Sequence, residues 1–278
     1  MDVLEELVRL RRAGERCALA TIVEVDGSVP SFESAKMLVR EDGSILGTVG
    51  GGCVEGEVRT VARAVMESGK PRLLSFHLNK DAAYDEGLIC GGSVEVFVEP
   101  IEPQRHAFLF GAGHISQSLA QVTHLLGFHT TVIDSRSAFA SRERFPQAEE
   151  VIAGEFADVF PRLAVNHCAY LIIVTRGHRD DMLVLRWAVT TDARYIAMIG
   201  SRRKVLSVVK ELETEGIPRA QMERIHAPMG LNIGALTPEE IAVSVGAEMV
   251  AVHRQPDSDW QALSMTAFPQ HEVKALSK

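Results

Sequence analysis

A strand-like run, Phe108-Leu-Phe110, leads into Gly111-Ala-Gly113-His114-Ile-Ser116 and then into a helical pattern, giving GxGxxG spacing with serine in the third place. Glycines at such a turn let the backbone approach a diphosphate, whose charge meets the free amides of the helix start. The next strand-like run ends in Asp134, twenty-one residues after Gly113, where a carboxylate accepts a hydrogen bond from a ribose hydroxyl. Arg136 follows two residues later and suits a 2′-phosphate, so NAD and NADP both stay open. Two more loops leave strand-like runs. Thr175-Arg-Gly-His178-Arg-Asp180 makes His178 the best-placed acid/base or ligand candidate, and His114 is set to touch a phosphate. In Gly200-Ser201-Arg202-Arg203-Lys204, Ser201 can cap the next helix while three cations crowd its first turn. Cations oppose the helix dipole there, so an anionic ligand is expected to balance them.

The front of the chain has its own candidates. Gly50-Gly51-Gly52-Cys53 precedes a helical pattern, so its amides are expected to form a second anion nest, with Cys53 in the first helical turn. A thiol in that position tends toward the thiolate, a soft metal ligand or nucleophile. Cys90, in Leu88-Ile-Cys90-Gly-Gly92, also borders glycines and is the second candidate metal ligand. Cys17 and Cys168 lie in or beside apolar strands and read as core fillers. The spacings fit no CxxC knuckle.

These residues need two scaffolds. From about His106 onward, continuous apolar strands alternate with helices (HAFLF, TTVID, VIAG, AYLIIV, RYIAMI), which indicates a Rossmann-like α/β domain built on a parallel sheet. Thr237-Pro-Glu-Glu240 is a capping box that launches a final helix. Residues 1–100 read as a smaller α+β domain: an amphipathic first helix, a strand over Cys17–Val25, a hairpin around Asp42-Gly43, the helix after Cys53, and two further strands. Residues 101–105, within the Pro-rich Glu99–Arg105 stretch, read as a linker, and 106–278 as the Rossmann-like domain. With 278 residues, 46% hydrophobic and 24% charged, the chain can bury two cores. A net charge of −8 speaks against nonspecific nucleic-acid binding, and no apolar run reaches membrane-spanning length. The N-terminus lacks a signal-peptide core, so a cytoplasmic protein is expected.

Together these segments resemble the xanthine dehydrogenase accessory family of XdhC/CoxI type over nearly the whole chain. The front matches are Gly27-Ser-Val-Pro30, Ala35-Lys-Met-Leu38, Gly47-Thr-Val-Gly-Gly-Gly-Cys-Val-Glu55 and Cys90-Gly-Gly92. The rear matches are Gly111-Ala-Gly-His114, Val132-Ile-Asp-Ser-Arg136, Gly177-His178, Ile199-Gly-Ser-Arg-Arg-Lys204, His226-Ala-Pro-Met-Gly-Leu-Asn-Ile-Gly234 and Thr237-Pro-Glu-Glu-Ile-Ala242. Arg176 and Asn232 depart from that pattern. The resemblance implies a non-catalytic accessory factor that binds the molybdenum cofactor, as molybdopterin or its dinucleotide form. Such a factor assists terminal sulfuration and passes the cofactor to a molybdenum hydroxylase such as xanthine dehydrogenase. It further implies a sulfur-donating enzyme as a partner, phosphate held by Gly111, Gly113 and the 200–204 loop, and Cys53 or Cys90 near the metal or its sulfur. The apolar front helix and hairpin are compatible with a homodimer. The alternative from the residues alone is an NAD(P)-dependent oxidoreductase with His178 as acid/base, although no Tyr-xxx-Lys or His-Asp relay accompanies it.

Overall fold

The computed structural model describes residues 2–29, 31–78, 92–254 and 263–265. The chain divides into two compact units, Met1–Gln104 and Arg105–Lys278.

Unit 1 opens with helix α1 (Val3–Ala13), followed by β1 (Cys17–Asp26), β2 (Lys36–Arg40) and β3 (Ile45–Gly47). Helix α2 (Gly52–Ser68), β4 (Arg72–His77) and β5 (Ser93–Ile101) complete it. Among the described residues these strands form an antiparallel sheet in the order β3-β2-β1-β5-β4. The β2–β3 hairpin turns where expected: Gly43 has φ 82°, and the Ser44 amide donates to Asp42 Oδ1 at 2.8 Å. Alternate residues of β1 feed opposite faces. Ala18, Ala20 and Ile22 pack with Val54, Val58, Ala62 and Val65 of α2, while Cys17 and Leu19 pack with Leu10 of α1. Cys17 is thus a core filler, its thiol pushed up to about 11 by burial. Strand β5 continues through Pro100 to Ile101, into the stretch whose prolines suggested a linker. Pro100 pairs with Ala18 of β1, and the β4 ladder already stops at Val98, so its missing N–H breaks no bond on that side.

Unit 2 contains β6 (His106–Phe110), α3 (His114–Leu125), β7 (His129–Asp134), β8 (Glu150–Ala153), a short α4 (Phe156–Val159) and β9 (Ala169–Ile173). It continues with α5 (His178–Ala188), β10 (Tyr195–Met198), α6 (Arg202–Thr214), α7 (Arg219–Met222), β11 (Ile225–His226) and α8 (Pro238–Arg254). Among the described residues its strands are all parallel, in the order β8-β7-β6-β9-β10-β11. This is the doubly wound order in which the chain reverses direction between β6 and β9, so the expected Rossmann-like parallel sheet is present. Phe108, Phe110 and Leu171 face α5 and α6, whereas Leu109, Tyr170 and Tyr195 face α3 and α8. Every residue of β9 is buried, which is why its sequence shows no alternation. The α8 capping box forms in both directions: Glu240 N donates to Thr237 Oγ1 at 3.3 Å, and Thr237 N to Glu240 Oε2 at 3.1 Å. Together with the Leu236 amide, the Thr237 amide holds the Glu240 carboxyl below its ordinary range. Strand β11 is two residues long, too short for any periodicity to announce. Among the described residues no helix is long and apolar enough to cross a membrane.

Candidate functional site

The glycine loop lies at the point where the sheet order reverses. Gly111 is buried with φ 105°, and a Cβ on it would stand 2.6 Å from the Val174 carbonyl oxygen and 3.0 Å from Thr175 Cα. Its missing side chain therefore lets the β6–α3 loop lie directly on the β9–α5 loop. Ser116 is fully buried, and its hydroxyl donates back to the Gly111 carbonyl. Gly113 caps α3 with φ −78° and faces open space, with the exposed His114 beside it.

Asp134 ends β7 almost fully buried, and the chain itself fills its acceptor positions. Ala112 N donates to Oδ2 at 2.8 Å, Arg136 N and Nε to Oδ1 at 2.9 Å, and Arg136 Nη2 to Oδ2 at 2.8 Å. A carboxylate offers about four such positions, so none is left over for a ribose hydroxyl. Burial works against its ionisation, but the Arg136 and Ala112 hydrogen bonds outweigh burial and hold the carboxyl below its ordinary value. Arg136 lies over the Phe139 ring at 3.9 Å and Arg144 over the same ring at 5.0 Å. Arg144 Nη2 also donates to the Ala112 carbonyl at 3.2 Å, so aspartate and arginine grip the two ends of one residue. Sequence reasoning missed Phe139 and Arg144, which lie in an irregular stretch where no periodicity marks them.

The basic loop divides its three cations. Ser201 caps α6 by accepting from Lys204 N at 3.3 Å, as expected. Lys204 itself forms an ion pair with Asp181, a fully buried carboxylate whose Oδ1 lies 2.7 Å from the Thr175 hydroxyl. Gly200 makes room for this reach, since a Cβ there would stand 3.1 Å from Lys204 Cδ. Arg202 and Arg203 remain exposed, and Arg202 lines a cavity of about 370 Å³. One wall is Gly200, Ser201 and Arg202, a second is Pro228, Met229 and Asn232, and a third is Ser264 and Met265.

Behind Ser264 lies Glu248 of α8, fully buried and unforeseen. Ser264 Oγ donates to its Oε1 at 2.5 Å, Gly230 N to Oε2 at 2.8 Å, and the Tyr195 hydroxyl to the same Oε2. His226 Nδ1 stands 3.4 Å from Oε1, its ring tilted over Tyr195 at 4.6 Å. Burial opposes ionisation, and the hydrogen bonds from His226, Ser264 and Tyr195 overcome it, so the carboxyl stays below its ordinary range. The signal existed in the sequence: Ala242, Val245, Met249 and Val252 set a buried stripe on α8, and position 248 falls inside it. The strap Leu263–Met265 is fixed by the same neighbourhood, with Asn232 N donating to Leu263 O at 2.7 Å and Met265 N to Gly230 O at 2.9 Å. His178 turns elsewhere. Its Nε2 pairs with Glu211 of α6 at 3.0 Å, in a surface network that includes Arg186.

In unit 1 the Gly50–Gly52 loop is already served by the chain's own carboxylate. Glu55 Oε1 accepts from Thr48 Oγ1 at 2.5 Å, Gly51 N at 3.1 Å and Val49 N at 3.4 Å, and Gly50 N donates to Thr48 Oγ1 at 3.2 Å. An incoming anion would meet Glu55 where the nest was expected. Cys53 is exposed in the first turn of α2, whereas Cys168 is buried. Cys90 lies outside the described residues. Among the described residues no cluster of three His, Cys, Asp or Glu side chains could hold a metal.

Residues 108–249 match the model of the XdhC Rossmann domain, and residues 10–77 match that of the XdhC and CoxI family. The chain belongs to the XdhC and CoxI family. Relatives include the uncharacterized protein YqeB of Escherichia coli, 35% identical over 91% of this chain, which spans only 46% of YqeB. The molybdenum cofactor insertion chaperone PaoD of Escherichia coli is 26% identical over 92% of this chain and 90% of its own length. A probable xanthine dehydrogenase subunit from Bacillus subtilis is 23% identical, over 87% and 94% respectively. Among solved structures, one described as a xanthine dehydrogenase from Bacillus halodurans covers 95% of this chain and all of its own, with 23% identity and a TM-score of 0.51, a likeness of fold. In this XdhC-family chain the expected binding residues thus fall into separate places. Gly111, Gly113, His114 and Asp134 meet at the β6–β9 reversal, Gly200, Ser201 and Arg202 meet at the cavity, and Gly50 to Cys53 belong to unit 1.

Proposed function

We propose that the protein is an accessory factor that binds the molybdenum cofactor, assists its sulfuration, and delivers it to a molybdenum hydroxylase such as xanthine dehydrogenase. The names of PaoD and of the Bacillus subtilis relative support a role around this cofactor. The single observation that carries the reading is the cavity where the loops after β10 and β11 converge, with an exposed arginine at a helix start on one wall and both apolar and polar side chains on the others.

The residues of unit 2 fit such a group. Arg202, the Ser201 hydroxyl and the opening amides of α6 suit a phosphate. Pro228, Met229 and Met265 offer a flat, adaptable surface for a pterin. The Gly50–Gly52 loop does not fit a phosphate, because Glu55 already fills it. Cys53 and Cys90 are the proposed soft donors toward the metal or its sulfur. When bound, the cofactor supplies a molybdenum centre on a dithiolene; the chain's part is to bind it, keep it oriented and release it. A sulfur-donating enzyme and the recipient hydroxylase are the proposed partners, in the cytoplasm, and a homodimer is compatible with this role. The oxidoreductase alternative finds no support in the geometry, since His178 is engaged with Glu211 and Asp134 with Arg136.

The test is to purify the full chain from a host that makes the cofactor and to measure molybdenum by metal mass spectrometry and pterin by fluorescence after oxidation. Both should accompany the wild-type chain and fall in Arg202→Ala and Cys53→Ala. Wild-type protein carrying neither would refute the reading.

A further inference from the structure

We infer that the crevice of unit 2 takes one flat heterocycle bearing a single terminal phosphate. For the proposed cofactor this means the pterin monophosphate and not its dinucleotide form, and it leaves no place for NAD(P). The pterin identity rests on the proposed function; the count of one phosphate rests on the geometry alone.

In this sheet order a dinucleotide spans both sides of the reversal point, with one ribose at the end of the second strand, here β7. The ribose end of that half is complete without a ligand. The carboxylate of Asp134 is filled by Arg136 and Ala112, and Phe139 already has a guanidinium from Arg136 and from Arg144 on it. An adenine stacking on Phe139 would have to displace one of these arginines, and a ribose hydroxyl would have to displace Arg136 or Ala112 from Asp134.

The other half is open. Its cavity of about 370 Å³ falls in the range of small-ligand sites. Arg202 is the cation among its lining residues, and no carboxylate lines it among the described residues, which matches one phosphate. Lys204 is withdrawn from the balance by Asp181. Met229 and Met265 line the cavity with apolar side chains that suit a flat ring, and the Asn232 amide carries both a donor and an acceptor for the edge of a fused lactam.

The experiment is calorimetric titration of the full chain with guanosine 5′-monophosphate, guanosine and NAD⁺. The monophosphate shares the fused ring, the lactam edge and the lone phosphate. It should bind about tenfold or more tightly than guanosine, the factor expected of one charge-assisted contact. NAD⁺ should give no binding heat at concentrations that saturate the monophosphate. Arg202→Ala should bring the monophosphate down to the level of guanosine, and Asn232→Ala should weaken both. Both variants change exposed side chains, so folding is not at stake. NAD⁺ binding as tightly as the monophosphate, equal binding of the monophosphate and guanosine, or no binding of either would overturn the inference. A second readout separates it from the accessory role. Pterin released from purified protein as the monophosphate supports the inference, whereas nucleotide-linked pterin overturns it and leaves the accessory role standing. Monophosphate binding by a chain that never carries molybdenum or pterin would count against the accessory role alone.

Discussion

The two halves of the unit 2 crevice are assembled from the same parts and end in opposite conditions. Each has a buried strand, a glycine-bearing loop, the start of a helix and an arginine. On the β6–β7 side Asp134, Arg136, Arg144 and Phe139 satisfy one another. On the β10–β11 side the buried charges are also satisfied, Asp181 by Lys204 and Glu248 by Ser264, Gly230 and Tyr195, yet Arg202 is left facing a cavity. A glycine signature therefore reports the scaffold, and the polar groups left unspent report the ligand.

The comparison can be broken most forcefully at Glu248. Glu248→Ala leaves the Tyr195 hydroxyl and the Gly230 amide buried without their acceptor and should cost about 4 kcal/mol of stability, read from urea unfolding. A loss under about 1 kcal/mol would mean that this half does not depend on its buried carboxylate. Next come the two glycines of one motif. Gly111→Ala introduces both a strained φ and a collision with backbone, for about 3 kcal/mol, while Gly113→Ala should stay within about 0.5 kcal/mol. Equal effects would show that the loop does not rest on Val174. At the basic turn, Lys204→Met strips a buried aspartate of its counter-ion and should cost about 2 kcal/mol, tempered by the lysine's partial exposure. Arg202→Met should leave the unfolding midpoint unchanged. If the two behave alike, the division of labour among these cations is wrong.

Acid titration separates two ends of the sheet. His106, at the start of β6, is held to about 3 by burial first and the His129 charge second. The unfolded chain, with histidine near 6.5, then binds more protons than the folded one between those values, so stability falls as pH drops through that window. Asp134 behaves as a depressed carboxyl: its contribution is present above the unfolded value near 3.9 and is lost as pH falls through the folded value. Unfolding midpoints at pH 7, 5 and 4 should therefore decline in the wild type, and His106→Gln should flatten that decline. A profile unchanged by His106→Gln would exclude the histidine as its source.

Much of the scaffold was readable because it depends on local pattern. The uninterrupted apolar run of β9, the Asp42-Gly43 turn and the Thr237–Glu240 box each announce themselves within a few residues. What escaped depends on who meets whom. Nothing near Gly50 says that Glu55 will fold back onto the loop, and nothing near Asp134 says that Arg136 and Arg144 will close around it. Pro100 looked like punctuation because the sequence does not show that its neighbour β4 stops short. Glu248 is the instructive intermediate case: its helical phase was visible, but one of the hydroxyls that make burial tolerable comes from residue 264.

That late hydroxyl has a consequence for the order of events during synthesis. All the described strands of the sheet are made by His226 and the long helix α8 by Arg254, yet the cavity lacks a wall until Ser264 and Met265 emerge. A nascent chain can thus acquire its Rossmann core well before this cavity has all its walls.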